Sequence, residues 1–328
     1  MSPASRPLVV LTPVKNEAWI LDRFLAVTSR VADLILVADQ GSTDGSRDIC
    51  RGFPKVHLLD NSSPQYDEAH RQLLLLAAAR ELVPGEKVVL ALDADEIVAA
   101  DAPGSPGWQA MLGAAPGTVL CFEKPDLWQG ADRCLRYDRP WPLGYVDDGA
   151  EHRAHRLHSI RIPMPEGAPR LHVQDVKVLH YALTRLDHQA AKARFYSAQE
   201  NLHGTSPLYR RRALYSRQRD WGSYGRLEPT RREWLAGWED LGIDLHGIPR
   251  EEFYWQDFEM LRLFGRHGAR RFWLDDVWGF DWEACRRCAL EWELPGIPAQ
   301  PVSGPPWPVR LAGHLLDLSY KAWRAARA

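Results

Sequence analysis

The segment 88–98, VVLALDADEIV, joins an apolar run to three closely spaced carboxylates, Asp93, Asp95 and Glu96. A hard divalent cation such as Mg²⁺ or Mn²⁺ commonly takes one or two carboxylates, with phosphate oxygens and water in the remaining positions. An Asp-x-Asp pair at the end of a strand therefore suits a metal-diphosphate site. Such pairs also occur by chance, and a structural or solvated role is the alternative.

The first hundred residues alternate between continuous apolar runs and helical patterns, which indicates a parallel sheet in an α/β domain. Ligands of such sheets gather at the carboxyl ends of the strands, so the polar residues that follow each strand are the candidates for a site. The sequence predicts strands at 7–14, 33–39, 55–60, 87–95 and 118–124 and helices at 17–31, 42–53, 65–83 and 186–202.

Four motifs in this region carry a resemblance to a known family. They are VVLTPVKNE (9–17), LILVADQGSTDGS (34–46), DEAHRQLLLLAAA (67–79) and VLALDADE (89–96). In this order the chain resembles a glycosyltransferase family 2 protein with a GT-A fold, an α/β, Rossmann-like domain with a mostly parallel sheet. The resemblance is strong over 7–100, continues weakly through 178–196 and does not cover the Trp-rich C-terminal part.

The resemblance implies a metal-dependent glycosyltransferase that moves a sugar from a nucleoside-diphosphate sugar to an acceptor hydroxyl. Its acceptor would be a glycan, a lipid-linked sugar, a natural product or a peptide, and its cofactor Mg²⁺ or Mn²⁺. The metal would bind Asp95, with His180 as a candidate further ligand or phosphate contact. The implied substrate-binding residues are Pro13, Asn16, Glu17, Asp39, Arg71, Asp93, Ala94 and Lys192.

Several of these side chains have simpler interpretations. Glu17 also suits a helix N-terminus, where a negative charge is favourable. Arg71 and Lys192 lie on predicted helices, where long charged side chains are commonly solvated. His180 also fits a structural histidine. The second motif has Gln40 where many relatives carry a second aspartate, which weakens any inference about the nucleotide.

Family members of this type usually invert the configuration at the sugar carbon, which requires a carboxylate base for the acceptor hydroxyl. We expect this base downstream of the Asp-x-Asp motif. The candidates are Asp148, Asp147 and Asp175, with Asp148 preferred. A solvated acidic loop is the alternative for the first two.

The composition changes along the chain, because most of the fourteen tryptophans lie beyond residue 200. We expect a GT-A domain over 1–204, a helical Trp-rich acceptor or lid region over 205–300, and a linker with a C-terminal amphipathic helix over 301–328. Aromatic side chains stack on sugar rings, but at helical spacing they also form cores.

Charge and hydropathy limit the partners. The net charge is −2 and five cysteines occur in 328 residues, so we expect neither a nucleic-acid partner nor a disulfide framework. No long apolar run occurs, which predicts a cytoplasmic protein. The C-terminal helix carries Leu311, Leu315, Leu318 and Trp323 beside basic residues, which fits a peripheral membrane contact, a homo-oligomer or intramolecular docking.

Two other functions stay open on the sequence alone. A nucleotidyltransferase that makes nucleotide sugars should have a Gly-rich phosphate loop after the first strand, and TPVKNEAWIL has no glycine. A non-catalytic glycan-binding or scaffold protein would keep the fold without turnover. The presence of Asp39, Asp93 and Asp95 favours the transferase over this alternative.

Overall fold

The computed structural model describes residues 6–63, 66–204, 206–215 and 225–325. The chain forms two compact units, one of Met1–Thr184 with Gly222–Pro249 and one of Arg185–Trp221 with Arg250–Ala328. The predicted boundary at 204 does not coincide with this division. The helix over 186–202 belongs to the second unit, and part of the Trp-rich region belongs to the first.

The first unit is built on one mixed sheet with the order β11-β8-β7-β10-β6-β9-β4-β1-β2-β3, in which β5 pairs with β10. Strands β3, β2, β1 and β4 run parallel to one another, and β9 is antiparallel to β4 and β6. The strands are β1 Leu8–Val14, β2 Leu34–Asp39, β3 Val56–Asp60, β4 Lys87–Ala91, β5 Glu96–Val98, β6 Val119–Glu123, β7 Asp126–Leu127, β8 Arg133–Arg136, β9 Trp141–Asp147, β10 Arg170–His180 and β11 Arg226–Pro229.

The parallel strands β1, β2 and β4 are buried on both faces, which is why they read as continuous apolar runs. One face packs Phe24 and Leu25 of helix α1, and the other packs Leu75 and Leu76 of helix α3. The helices of this unit are α1 Ala18–Val31, α2 Ser46–Arg51, α3 Glu68–Leu82, α4 Pro106–Gly113 and α7 Ala236–Glu239. The prediction of an α/β fold with a mostly parallel, Rossmann-like sheet is confirmed.

The strand order creates a switch point at β1. The chain proceeds from β1 outward to β2 and β3 and then returns to place β4 on the other side of β1. In open α/β sheets the ligand crevice lies at such a point, outside the carboxyl ends of the strands. The Asp-x-Asp motif follows the carboxyl end of β4, and Asp39 is the last residue of β2.

The second unit is helical, as predicted for the C-terminal region. Phe264 is at its centre, stacked on Trp278 at 5.1 Å and edge-on to Trp282 at 5.0 Å. Arg194 lies 3.9 Å from the Phe280 ring centroid and is paired with Asp257. The helices are α5 Leu186–His203, α6 Leu208–Tyr215, α8 Trp255–His267, α9 Trp282–Glu291 and α10 Trp307–Ala325.

None of the described helices combines the length and the apolar character that crossing a bilayer requires.

Candidate active site

A turn and a short strand position the Asp-x-Asp motif. The Glu96 N–H donates to the Asp93 carbonyl at 2.9 Å, which closes the turn after β4. The chain then enters β5, which pairs antiparallel with the end of β10 so that His180 lies opposite Glu96. The Tyr181 N–H also donates to the Asp95 carbonyl at 2.8 Å. The sheet therefore places His180 beside Asp95, although 85 residues separate them in the chain.

Asp95 and His180 face each other with a carboxylate behind the histidine. His180 Nε2 is 3.6 Å from Asp95 Oδ2, and His180 Nδ1 is 2.5 Å from Asp126 Oδ1. Tyr137 donates its hydroxyl to the other Asp126 oxygen at 2.5 Å. Burial alone would raise the pKa of Asp126, but His180 outweighs that effect and lowers it. Asp126 therefore stays ionised and fixes the orientation of the imidazole.

Arg161 holds the other two carboxylates of the motif. It contacts Asp93 Oδ2 and Glu96 Oε2, each at 2.5 Å, and Lys124 lies 2.9 Å from Glu96 Oε1. Burial would raise the pKa of Glu96, but Arg161 and Lys124 hold it well below its usual range. Glu96 is fully buried and serves as an anchor, whereas the Asp93 side chain is 28% exposed at the crevice.

This donor set fits a divalent cation that is completed by a substrate. No group of three or more His, Cys, Asp or Glu that could hold a metal occurs among the described residues. Asp95 and His180 nevertheless offer one carboxylate oxygen and one imidazole nitrogen, and a cation held by few protein ligands takes phosphate oxygens and water for the rest. The second nitrogen of a ligating histidine is normally bonded to a carboxylate, as His180 is to Asp126.

The charges of the cluster also favour a cation. Four carboxylates, those of Asp93, Asp95, Glu96 and Asp126, lie with the two cations Arg161 and Lys124, which leaves two negative charges when His180 is neutral. A divalent cation would balance this excess.

The loops after β1 and β2 are joined by hydrogen bonds. Asn16, at φ 55°, donates its N–H to Ser42 Oγ at 2.8 Å and accepts from the Thr43 N–H at 2.8 Å. Ser46 Oγ accepts from the Glu17 N–H at 3.0 Å and donates to Asp44 Oδ1 at 2.7 Å. Asn16, a predicted substrate-binding residue, therefore joins the loop after β1 to the loop after β2.

Asp39 carries a buried carboxylate oxygen with no partner. Its side chain is 1% exposed, and Oδ1 accepts from the Ser42 N–H at 3.1 Å and from Arg47 at 2.8 Å. Oδ2 has no hydrogen-bond partner. A buried acceptor without a partner is costly, so this oxygen is suited to accept an N–H or O–H group from a ligand.

The strand register gives the distance between the two ends of the site. Asp39, the last residue of β2, pairs with Val14 of β1, and Ala91, the last residue of β4, pairs with Leu11 of β1. Two strand spacings separate β2 from β4, so the strand ends that carry Asp39 and the Asp-x-Asp turn lie about 10 Å apart across the sheet. A nucleoside can bridge this gap with its base at Asp39 and its phosphates at Asp95.

The other predicted substrate-binding residues lie in different elements, and one of them belongs to the second unit. Pro13 lies within β1, and Ala94 is 2% exposed in the apolar core. Glu17 accepts from its near neighbour Trp19 Nε1 at 2.7 Å. Arg71, on the first turn of α3, lies 5.1 Å from the Tyr66 ring centroid. Lys192 is on α5 in the second unit.

The predicted bases lie away from the Asp-x-Asp turn. Asp147 is paired with Arg80 and with Lys87, the first residue of β4, and therefore lies at the end of β4 opposite the motif, roughly 13 Å from the carboxyl end of the strand. Asp148 follows it and accepts from the Tyr145 hydroxyl at 2.6 Å. Asp175 lies five residues before His180 and accepts from the Gly107 N–H at 3.3 Å. Their positions do not support a role as base, and an inverting transfer requires a different one.

Arg161 and Asp126 of the site were not predicted from the sequence. Arg161 comes from the irregular segment between β9 and β10, and Asp126 begins a strand of two residues. The sequence EKPDLW offers one signal for Asp126, a polar residue that follows the apolar strand β6.

Comparisons with known proteins add little to this geometry. No family model matches the sequence, and no curated protein matches it. Solved structures do match, among them a 4-diphosphocytidyl-2C-methyl-D-erythritol synthase, with 17% identity, 44% of this chain and 76% of that chain covered and a TM-score of 0.30. Glucosyl-3-phosphoglycerate synthase from Mycobacterium tuberculosis, solved with Mn²⁺ and UDP, matches with 16% identity over 38% of this chain and a TM-score of 0.26.

A third match, GalNAc-T7 with UDP, GalNAc and Mn²⁺, has 12% identity, 74% of this chain and 59% of that chain covered and a TM-score of 0.35. The match to the mycobacterial synthase spans 45% of that chain. The matches thus include glycosyltransferases and nucleotide-transferring enzymes. At these TM-scores they carry no conclusion about the substrate or activity of this chain.

Proposed function

We propose that this protein is a metal-dependent glycosyltransferase that uses a nucleoside-diphosphate sugar. The observation that carries the proposal is the pairing of Asp95 with His180 at 3.6 Å, backed by Asp126, at the carboxyl end of β4. The strand order supports the proposal, since β4, which Asp95 follows, neighbours β1 at the switch point, and β2, which ends at Asp39 with its unpartnered oxygen, neighbours β1 on the other side. The Asp95–His180 pair, which suits a metal-bound diphosphate, and Asp39 Oδ2, which can accept a hydrogen bond from a nucleoside, then lie on either side of one crevice.

The roles of the residues follow from their surroundings. Asp39 Oδ2 accepts a hydrogen bond from the base or the ribose, since a carboxylate oxygen can only accept. Arg161 holds Asp93 toward the crevice, where its exposed oxygen can contact the ribose or the donor sugar. Asp95 and His180 hold Mg²⁺ or Mn²⁺, which when bound stabilises the negative charge of the diphosphate as it leaves. We expect Mn²⁺ to support more activity than Mg²⁺, because imidazole is not a hard oxygen ligand.

A donor-hydrolysis assay tests the proposal without knowledge of the acceptor. Purified protein is incubated with UDP-, GDP-, CDP-, ADP- and dTDP-sugars, each with Mn²⁺, Mg²⁺ or EDTA, and released nucleoside diphosphate is measured. The proposal predicts release from one nucleotide class, dependent on metal. Release should fall at least 100-fold in Asp95→Asn and in Asp39→Asn, in which an amide nitrogen stands where an acceptor is needed.

The control is Asp48→Asn, because the Asp48 side chain is 81% exposed on α2 and its loss should leave hydrolysis unchanged. Hydrolysis that persists in EDTA would contradict the role of the metal. Release of pyrophosphate from nucleoside triphosphates and sugar phosphates would instead identify a nucleotidyltransferase.

A further inference from the structure

The second unit contains a cavity of about 270 Å³ between α10 and the segment 273–279. Aromatic and polar side chains share its wall, and both charge signs are present. The residues on which the argument rests are Trp273, Trp278, Asp276, Arg310, His314 and Asp317. The cavity lies within one unit and is formed without any residue of the candidate active site.

The two indoles of the cavity have their polar atoms occupied by backbone. Trp278 donates Nε1–H to the Phe272 carbonyl at 2.9 Å, and Trp273 donates to the Ser303 carbonyl at 3.2 Å. Trp278 also stacks on Phe264 with an interplanar angle of 18°, so packing fixes its orientation. These indoles therefore offer the cavity carbon surface rather than hydrogen bonds, which is the surface that C–H faces of sugar rings stack upon.

The polar side chains are fixed and nearly balanced in charge. Arg212 binds both oxygens of Asp317, each at 2.7 Å, and Arg310 donates Nε–H to the Pro305 carbonyl at 2.8 Å. The lining holds the cations Arg212 and Arg310 and the carboxylates of Asp275, Asp276 and Asp317, and the charge of Asp275 is balanced by Arg211, which lies outside the lining. Such a cavity offers both donors and acceptors without a net field, which favours a neutral polyhydroxy ligand over a phosphate or a nucleotide.

Helix α10 has a glycine, Gly313, at the position where it approaches Arg212 beside the cavity. An added Cβ at Gly313 would lie 3.2 Å from Arg212 Nη1, so a side chain here would displace the guanidinium that borders the cavity. Glycine inside a helix is less favourable than alanine. The close approach of Arg212 gives a physical reason for glycine at this position.

From these observations we infer that the cavity binds one pyranose unit of a glycan, with its C–H face on the indoles and its hydroxyls on the Asp and Arg side chains. The volume is below the roughly 300–1,000 Å³ of sites for drug-sized ligands, which agrees with a single sugar ring. This binding does not depend on the proposed transfer reaction, because it uses none of that site's residues.

Saturation-transfer NMR tests the inference with methyl glycosides of glucose, galactose, mannose and N-acetylglucosamine as probes, and with inorganic phosphate as a competitor. We expect saturable binding of at least one glycoside that phosphate does not displace. His314→Trp fills the cavity from an exposed position and should weaken binding more than tenfold. Asp276→Asn removes one acceptor oxygen and should weaken it several-fold.

Two matched variants separate this site from the rest of the molecule. Leu315→Ala changes the exposed side of the same helix and should bind like the wild type. Asp95→Asn removes the proposed metal ligand and should also bind like the wild type, so that a failure of the transferase proposal leaves this result intact. Absence of binding by every glycoside, displacement by phosphate, or undiminished binding in His314→Trp would each overturn the inference.

Discussion

At the scale of single residues, the proposed metal site depends on the carboxylate of Asp126 behind His180. Asp126→Asn keeps the shape of the side chain but removes the charge that holds the imidazole. Loss of such a partner typically costs 10–100-fold in metal affinity. We therefore expect the Mn²⁺ affinity of Asp126→Asn to decrease by about 10–100-fold. Calorimetry on the whole protein, with the bound nucleoside diphosphate present, measures this affinity. Tyr137→Phe, which removes only the hydroxyl bonded to Asp126, should have a smaller effect.

An Asp126→Asn protein that binds Mn²⁺ as tightly as the wild type would contradict the role of Asp126. Circular dichroism and the melting temperature serve as the control for folding in both variants.

The sequence revealed those site residues that follow predicted strands. Asp39 and Asp95 are identifiable because they end or follow continuous apolar runs, and the sheet places both at one edge. Arg161 and Asp126 come from short or irregular segments that have no periodicity to read. The three predicted bases were chosen by order along the chain, and neither the direction of β9 nor the level of Asp175 on β10 could be deduced from that order.

At the scale of elements, the loops after β1 and β2 depend on Ser46. Its hydroxyl is fully buried and bonds both the Glu17 N–H and Asp44. Ser46→Ala removes the hydroxyl that accepts from the Glu17 N–H and donates to Asp44, and should lower the free energy of unfolding by about 1–3 kcal/mol. Chemical denaturation measures this loss. Ser62→Ala, at an exposed position, is the control and should change nothing, and equal stabilities of the two variants would refute the role of the loops.

Asp147 joins the start of β4 to α3, and its stabilising effect should depend on pH. Burial would raise its pKa, but Arg80 and Lys87 outweigh burial and lower it. A carboxylate with a lowered pKa in the folded state stabilises fully above its unfolded pKa, about 3.9 for Asp, and loses this effect as the pH falls through the folded pKa. Asp147→Asn should cost about 3–5 kcal/mol at pH 7, because it leaves two cations without their buried partner.

Denaturation curves at several pH values check this prediction. The difference between the wild type and Asp147→Asn should be constant from about pH 7 to pH 5 and should shrink below about pH 4. A difference that grows as the pH falls would have the wrong sign for this ion pair. Asp48→Asn, at an exposed position, is again the control.

The strands of the parallel half were predictable to within a few residues, since each is an apolar run bounded by polar turns and β1, β2 and β4 are buried on both faces. The predicted runs at 7–14 and 55–60 correspond to Leu8–Val14 and Val56–Asp60. The insertion of β9 between β4 and β6 was not predicted. The pairing of β9 with β4 joins residues that are more than fifty positions apart, and no local pattern specifies such a contact.

At the scale of the whole molecule, the C-terminal helix leaves an apolar stripe exposed. Leu311, Leu315 and Leu318 of α10 are 49%, 53% and 48% exposed, on the side away from the cavity residues Gly313 and Asp317. The sequence adds Lys321, Arg324 and Arg327 toward the end of the chain. Leucines flanked by basic residues fit the surface of an anionic bilayer, one of the partners predicted for this helix.

Vesicle co-sedimentation tests this partner. The wild type should sediment with vesicles of phosphatidylcholine and phosphatidylglycerol, and less with phosphatidylcholine alone. The double variant L311E/L315E should stay in the supernatant, whereas Leu73→Glu, an exposed leucine on α3, should behave like the wild type. A homo-oligomer would be favoured instead if the wild type is dimeric and sediments with neither kind of vesicle, while the L311E/L315E variant is monomeric.

The central claim, that Asp95 and His180 hold a cation which binds the diphosphate of a donor, is tested most directly by thermal shift. The melting temperature is measured with UDP, GDP, CDP, ADP and dTDP, each with and without Mn²⁺, because a ligand that binds only the folded state must raise it. We predict that one nucleotide raises the melting temperature, that this rise requires Mn²⁺, and that it is absent in Asp95→Ala. A rise that is independent of Mn²⁺ and survives Asp95→Ala, or no rise with any nucleotide, would contradict it.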